Sequence, residues 1–489
     1  MVVNSINFLF FFVVVFAVYF TPIIRRNGLY QNSWLFLASY FFYGCADWRM
    51  IPLLLGATII FYYLGKWLKS SMNEGKKTTA SHITTFGVIL GVGILLYFKY
   101  LNFFAQSFAD LLNACGLKVT WTTLNIILPV GVSFFTFKLI SYLIEMHREK
   151  IEPAKNFIEF ATYISFFPTI LSGPIDRPNS FLPQLRKGHS FDYSMAVDGC
   201  RQILWGMFTK MCIADNIALV TDNAWANYSS LPSSTLLVAA LLYPIQMYTD
   251  FDGYSNMAIG VSKILGFKVT KNFNHPLISR TMAEYWRRWH MSLTSWITDY
   301  VFMPLNISFR NWGNWGVLLA ITINLVVIGL WHGANWTYGL FGLYHSLLFI
   351  PIIFSGAFGK NKKIKENKYH LPFMKDFLKM ILTYLFITLG LIIFVAPNIM
   401  VSFDFFSHIF TSTLFVKPEI DIRQLTYLFI IIVFVLDWFN RKRDYSLSIS
   451  NSKLKIFKYK WVRFSIYLVI SICIIMFSGQ HSDFIYFQF

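Results

Sequence analysis

Tyr285-Trp286-Arg287-Arg288-Trp289-His290 opens the stretch that decides how this chain is read, and Gly329-Leu330-Trp331-His332-Gly333-Ala334-Asn335-Trp336 closes it. Between them lie Asp299-Tyr300, Met303-Pro304-Leu305 and an apolar run. Two histidines therefore bracket one hydrophobic segment, and the second stands where that segment meets small residues. Ionisable side chains at membrane depth are costly and mark function by default. This stretch is the candidate centre of whatever chemistry the chain performs.

Its surroundings set the fold class. Of 489 residues, 56% are hydrophobic and only 13% charged, with 52 Phe. Mean hydropathy is +0.51. Soluble domains carry about 25% charged residues, so half that charge leaves too little polar surface to coat a water-soluble particle. The reading is an all-α polytopic membrane protein. The net charge of +18 sits in loops between apolar runs, which is the positive-inside pattern rather than a nucleic-acid surface. Such loops suit anionic lipid head groups, and an anionic substrate as well. The five cysteines, Cys45, Cys115, Cys200, Cys212 and Cys473, show neither CxxC nor metal spacing. They read as small buried hydrophobes in helices.

Outward from the centre, the stretch 286–301 has amphipathic spacing. At ~100° per residue, Trp286, Trp289, Leu293, Ile297 and Tyr300 form one stripe, with Glu284, Arg288, Ser295 and Asp299 opposite. One interfacial helix is expected there, with His290 facing the protein interior. Upstream, residues 235–265 read as a crossing that carries Asp250-Phe251-Asp252-Gly253. Its carboxylates suit a catalytic pair, ion pairs with Lys138 or Lys210, or the start of a break at Gly253. Residues 202–226 cross outward, and 157–170 is short with basic flanks, hence re-entrant or interfacial. Residues 128–144 cross with Lys138 inside, either ion-paired or contacting a ligand, and 83–112 cross once with a tilt. Residues 33–43 and 50–68 form two helices hinged at Gly44. Residues 6–20 lack a basic lead-in, so they read as a first membrane helix rather than a signal peptide.

Downstream, 317–331, 337–354, 380–396, 425–439 and 464–477 are further crossings. The loops 69–77, 263–280, 360–379 and 441–463 are basic and hence cytoplasmic. Together this makes roughly a dozen crossings, with both termini outside. A single membrane domain, 1–489, is expected. Its site-bearing core spans 124–356, between N-terminal helices 1–123 and C-terminal helices 357–489.

A neutral imidazole at His332 can take a proton from a hydroxyl at physiological pH. Gly333-Ala334 removes bulk and lets a substrate approach, while Asn335 can cap the next helix or orient a ligand. The competing reading is a structural histidine hydrogen-bonded across helices. His290 suits packing or an interface equally, and His345 reads as a helix–helix hydrogen-bonding residue. Arg287 and Arg288 suit a phosphate or simply an interfacial anchor. No Walker loop, HExxH, GxSxG or dinucleotide fingerprint stands in a suitable setting.

The chain resembles the membrane-bound O-acyltransferases, in the bacterial branch with alginate and peptidoglycan O-acetyltransferases and D-alanyl transfer proteins. The matching residues are Leu128-Pro129-Val130-Gly131-Val132-Ser133-Phe134-Phe135-Thr136-Phe137, Gly173-Pro174-Ile175, Asp252-Gly253-Tyr254-Ser255, the stretch 285–305, Trp331 to Trp336, and the tail Phe484-Ile485-Tyr486-Phe487-Gln488-Phe489. The sequence departs at Lys138, where a neutral polar residue is usual. It departs again at Asn306-Ile307-Ser308-Phe309, in place of a glycine-rich turn, and at Phe394-Val395-Ala396-Pro397, which lacks an arginine.

The resemblance implies helices around a central funnel or tunnel, with His332 as the catalytic histidine and His290 as the second active-site histidine. Trp331, Asn335, Trp336, Arg287, Arg288, Trp289 and Asp252 become candidate donor or substrate contacts. The implied donor is acetyl-CoA or another acyl thioester, such as an acyl carrier, with no bound cofactor and no metal. The implied partners are an extracytoplasmic acyltransferase acting on a polysaccharide, and membrane lipids. The implied activity is O-acetylation of an exported or cell-envelope polysaccharide. D-alanyl transfer toward teichoic acid, or a transporter or flippase of lipid-linked sugar, are the alternatives.

Overall fold

The computed structural model describes residues 1, 3–360, 367, 370–448 and 459–478. Elements among these are helical, with no β-strand. Seven helical runs are long and apolar enough to cross a membrane: Gly28–Asn73, Lys77–Ala114, Tyr193–Ala226, Arg310–His332, Trp336–Phe354, Met374–Val395 and Lys460–Phe477. Ile6–Tyr19, Ile399–Ile409 and Gln424–Phe439 are shorter apolar helices. Outward faces carry exposed residues such as Phe86, Ile89, Leu468 and Ile475, which lipid tolerates and water does not. The protein is a polytopic membrane protein. The terminal aromatic tail, 484–489, lies outside the described residues.

The chain divides into two compact units. The first comprises 1–203 and 257–270. In it, Gly28–Asp47 (α1) and Ile51–Asn73 (α2) form the expected pair of helices, but they are joined by a tight turn at Trp48–Met50 and not hinged at Gly44, which lies within α1. Lys77–Leu95 (α3) follows, and Val132–His147 (α4) is buried along nearly its whole length. Small residues let these backbones approach closely. A Cβ at Gly87 would lie 2.2 Å from Leu143, and one at Gly65 would lie 2.7 Å from the Tyr142 ring. Gly131 opens α4 at φ +72, with the Ile170 carbonyl 2.4 Å from where a Cβ would stand. No L-residue fits there.

Phe157–Ser165 (α5) is buried from Glu159 onward, and residues 171–176 run as buried irregular backbone. Such backbone persists at depth only where protein or a cavity surrounds it, which agrees with a re-entrant segment. Lys138 is buried in α4, and the buried Asp176 carboxylate is a charged neighbour, in keeping with an internal pairing. Its Nζ donates to Thr169 Oγ1 (3.1 Å) and the Tyr163 carbonyl (3.4 Å).

The second unit comprises 204–256 and 271–489. The helix Ser233–Ile264 (α6) begins in it. Of the alternatives for this stretch, a break at Gly253 is ruled out, because α6 is continuous. Gly253 instead permits a backbone crossing, since its Cβ would lie 2.8 Å from the Gly206 carbonyl. Asp250 pairs with Lys210 (2.6 Å), which also binds Asp215 (2.7 Å).

The expected single helix over 286–301 is three pieces. Met282–Trp286 (α7) ends in a turn, Met291–Ile297 (α8) restarts, and a π-turn covers Thr298–Phe302. Periodicity was misleading because both halves bury aromatics against the same interior. Glu284, expected on the outer face, is buried. Then come Gly313–His332 (α9), Trp336–Leu347 (α10), Met374–Val395 (α11) and Gln424–Phe439 (α12). Only Cys212 of the five cysteines is buried; Cys45, Cys115 and Cys200 are exposed.

Candidate active site

Two imidazoles in the second unit are placed by different local structures. His290 ends the turn after α7 in the left-handed region, at φ 42 and ψ 54. For a residue other than glycine this costs about 1–2 kcal/mol, so neighbours must hold it. Asn274 N–H donates to the Arg288 carbonyl (3.0 Å) and Met291 N–H to the Asn272 carbonyl (2.7 Å). The Asn272 side chain donates to Ser255 Oγ on α6 (3.0 Å) and accepts from Ser292 Oγ on α8 (2.6 Å). The segment 272–274 thus runs alongside the turn and clamps it on both sides of His290.

Only 1% of His290 is exposed. Its ring meets Phe251 edge-on at 4.7 Å, Phe273 at 6.4 Å and Trp331 at 5.6 Å. Burial pushes the imidazole down to about 3, so it stays uncharged at neutral pH.

His332 is the last residue of α9, where the chain turns extended at Gly333. Its ring lies edge-on to Trp331 and to Phe394 of α11, each at 5.0 Å. Close helix approach sets this position. A Cβ at Gly329 would lie 2.1 Å from the Tyr338 carbonyl, and one at Gly342 would lie 2.4 Å from the Leu325 carbonyl. Trp331 touches both imidazoles, so one indole joins the two histidines that the sequence separates by an apolar run. A neutral imidazole beside an uncharged second one can accept a proton from a hydroxyl.

Other nominated residues divide. Trp289 is buried, stacked on Tyr285 at 5.4 Å and edge-on to Phe273 at 5.0 Å. It shapes the His290 turn. Arg288 pairs with Glu284 (2.6 Å), which also binds Arg280 (3.1 Å). Arg287 is exposed. Asp252 accepts from Asn256 Nδ2 at 2.9 Å, one turn on.

Asn335 caps α10, accepting from Thr337 N–H (3.1 Å) and donating to the Pro397 carbonyl (2.7 Å). Trp336 is 51% exposed. On the side where a Cβ would stand, Gly333 meets the Tyr338 ring at 2.3 Å. Burial in aromatics, not hydrogen bonding, explains His345. Neither ring nitrogen has a partner among the described residues, and Phe341 and Trp286 pack on it at 4.4 and 5.4 Å.

Sequence reading missed Phe273, whose ring touches Tyr248, Phe251, Trp289 and His290. It also missed His275 and Asp437, which are 2.8 Å apart. Phe273 sits in a loop without periodicity, and Asp437 is 147 positions beyond His290 along the chain.

Residues 154–395 match the model of the MBOAT, membrane-bound O-acyltransferase family. The chain is 33% identical to "Probable alginate O-acetylase AlgI" of Pseudomonas aeruginosa over 434 residues, covering 87% of this chain and 78% of that protein. The chain belongs to the membrane-bound O-acyltransferase family. It is 29% identical to the peptidoglycan O-acetyltransferase of Helicobacter pylori, across 76% of this chain and 72% of that one. To the teichoic acid D-alanyltransferase of Streptococcus thermophilus it is 33% identical, across 53% of this chain and 65% of that one. Membership makes the protein an acyltransferase of the membrane, and both imidazoles fall inside the family-matched residues.

Proposed function

We propose that the protein moves an acyl group, acetyl in the first instance, from a cytoplasmic thioester across the membrane for O-acetylation of an exported or cell-envelope polysaccharide. The observation that carries the reading is the single Trp331 indole against which His290 and His332 both lie. The relatives named as alginate O-acetylase and peptidoglycan O-acetyltransferase support the acyl group and the acceptor class.

His332 takes the proton of the attacking hydroxyl of a relay carrier, which bears the acyl group outward, as its oxygen adds to the thioester carbonyl. The carbon–sulfur bond then breaks, and the imidazolium returns that proton to the departing thiolate. Sulfur leaves readily, so one well-placed base and an ordered approach suffice. His290, held neutral, and Trp331 orient the donor. Asn335 acts indirectly by capping the helix after His332. Exposed Arg287 draws the phosphates of acetyl-CoA, or of an acyl carrier's prosthetic arm, toward the basic side.

The basic loops support a cytoplasmic position for that side, in the inner membrane of a bacterial cell with both termini outside. A separate extracytoplasmic acyltransferase completes transfer onto the polymer.

The test is ester release by mild alkali from envelope polymers of cells carrying the wild type or H332A. Acetate lost in H332A, with normal folded yield, is expected. Unchanged acetate would overturn the reading. Released D-alanine would favour the teichoic-acid alternative, whose named relative matches the smaller share of the chain. Unacylated polymer that also fails to leave the cell would favour a transporter.

A further inference from the structure

Asp437 stands on α12, beyond residues 154–395 that match the family, yet its carboxylate serves two elements around His290. Oδ2 accepts from the Tyr248 hydroxyl of α6 at 2.9 Å. Oδ1 lies 2.8 Å from His275 Nδ1. All three side chains are buried.

His275 is itself left-handed, at φ 51, one of four such non-glycine residues among those described. Two left-handed histidines thus lie at the two clamped strands of backbone, and both need external support. The segment between Asn272 and His275 is pinned at its start by the bonds of Asn272 to Met291, Ser255 and Ser292. At its end, the His275 carbonyl accepts from Arg288 Nη1 (3.4 Å), and its imidazole meets Asp437. Phe273, in the middle, packs on His290 and Trp289. Asp252 and Lys271 are the other charged groups that act on this cluster.

We propose that Asp437 is a positioning residue for acyl transfer: through His275 it holds the 272–275 segment in register with the turn that carries His290. The proposal rests on the reading of His290 as an active-site histidine. Without the carboxylate, the buried Tyr248 phenol loses its acceptor, and the His275 imidazole loses the group that lies 2.8 Å from its Nδ1, so the left-handed backbone at His275 loses its neighbour on that side. Phe273 is then free to shift, and His290 with it. Because Asp437 touches no reacting atom, donor binding is spared while the geometry of the chemical step is degraded.

The test uses full-length protein in detergent and two readouts: acyl-transfer kinetics, and labelling of His290 by diethyl pyrocarbonate mapped by mass spectrometry. In D437A, kcat is expected to fall about tenfold or more, as for small misplacements near a reacting centre. KM for the thioester should change less than about twofold, and His290 labelling should rise. H275A should show the same two changes, no larger than in D437A, and the double variant should be no worse than D437A, which already removes the His275 contact together with the Tyr248 acceptor.

H275N is the decisive rescue. Its amide can donate near the position of Nδ1, and asparagine tolerates left-handed backbone, so its rate should stay within about threefold of wild type. Should D437A fail to fold, D437N keeps an acceptor for Tyr248, removes the charge, and is expected to show the same two changes in weaker form.

A fall in kcat with unchanged labelling overturns the proposal, as does an H275N variant as slow as H275A. So does an unchanged wild-type rate and labelling in D437A and D437N. Raised labelling at an unchanged rate overturns the catalytic role of this tie, and with it the reading of His290, while leaving the geometry intact.

Discussion

His290 and His332 lie against one indole but are placed by opposite means. His332 is the terminus of a long apolar helix, and glycines that let α9, α10 and their neighbours nearly touch decide where it stands. His290 sits in a strained turn, held by backbone bonds to a loop and by polar side chains from α6 and α8. One position is set by packing and the other by directional bonds. Perturbations should therefore separate them: volume changes should reach His332, and lost hydrogen bonds should reach His290.

The sharpest break is H332A, expected to lower kcat by about 10²–10⁴-fold, the usual range for a lost general base. Folded yield and detergent melting should be unchanged. Preserved turnover would mean that the packed imidazole is only structural, and the comparison would lose its functional side.

Next in size is N272A, which removes the acceptor of Ser292 Oγ and the donor to Ser255 Oγ, both buried. A buried polar group left unsatisfied costs about 1–3 kcal/mol, so the melting temperature should drop, and kcat should fall with it. If stability falls but turnover holds, the clamp supports the fold without setting His290.

Third is G342A. Its methyl must displace the α9 backbone at Leu325, an overpacking that costs about 1–3 kcal/mol. Loss of activity beyond loss of folded protein would show that close helix approach aims His332. A smaller effect belongs to N335A, which removes a helix cap worth about 1 kcal/mol, read as a modest shift in melting.

The last prediction is silent at neutral pH. Because burial depresses the folded His290 value to about 3, below the usual ~6.5 of an unfolded histidine, only the unfolded chain gains a proton as pH falls below ~6.5. His290 therefore contributes stability that is full above that pH and declines toward pH 3. Melting scans from pH 7 to 4 on wild type and H290N, which keeps a left-handed-tolerant residue but does not titrate there, should show a shallower acid decline in the variant. Identical slopes would refute the assignment.

Much of this was legible in residue order. Apolar runs marked most helices, including 28–73 as a pair and 132–147 around a buried lysine. The motif residues pointed to His332 and His290, and Lys210 was named as a partner for Asp250. Other features were not legible, for reasons particular to each. The stripe Trp286, Trp289, Leu293, Ile297 fits one helix as well as two short ones joined by a turn, because aromatic residues on both are buried in the same interior. Nothing beside Gly333 announced that Tyr338, five residues on, folds back over it. His345 looked like a hydrogen-bonding residue but lies among rings. Asp437 carried no local signal, since a lone carboxylate in an apolar run has many partners until the chain is folded.

By itself, then, the sequence determined that the chain is a helical membrane protein with two histidines flanking an apolar segment, because hydropathy and charge are sums over local residues. Tertiary structure alone decided that one indole joins those histidines and that a distant carboxylate meets His275 in the loop behind His290. Both depend on side chains meeting across helices, and the partners in such meetings are far apart in the chain.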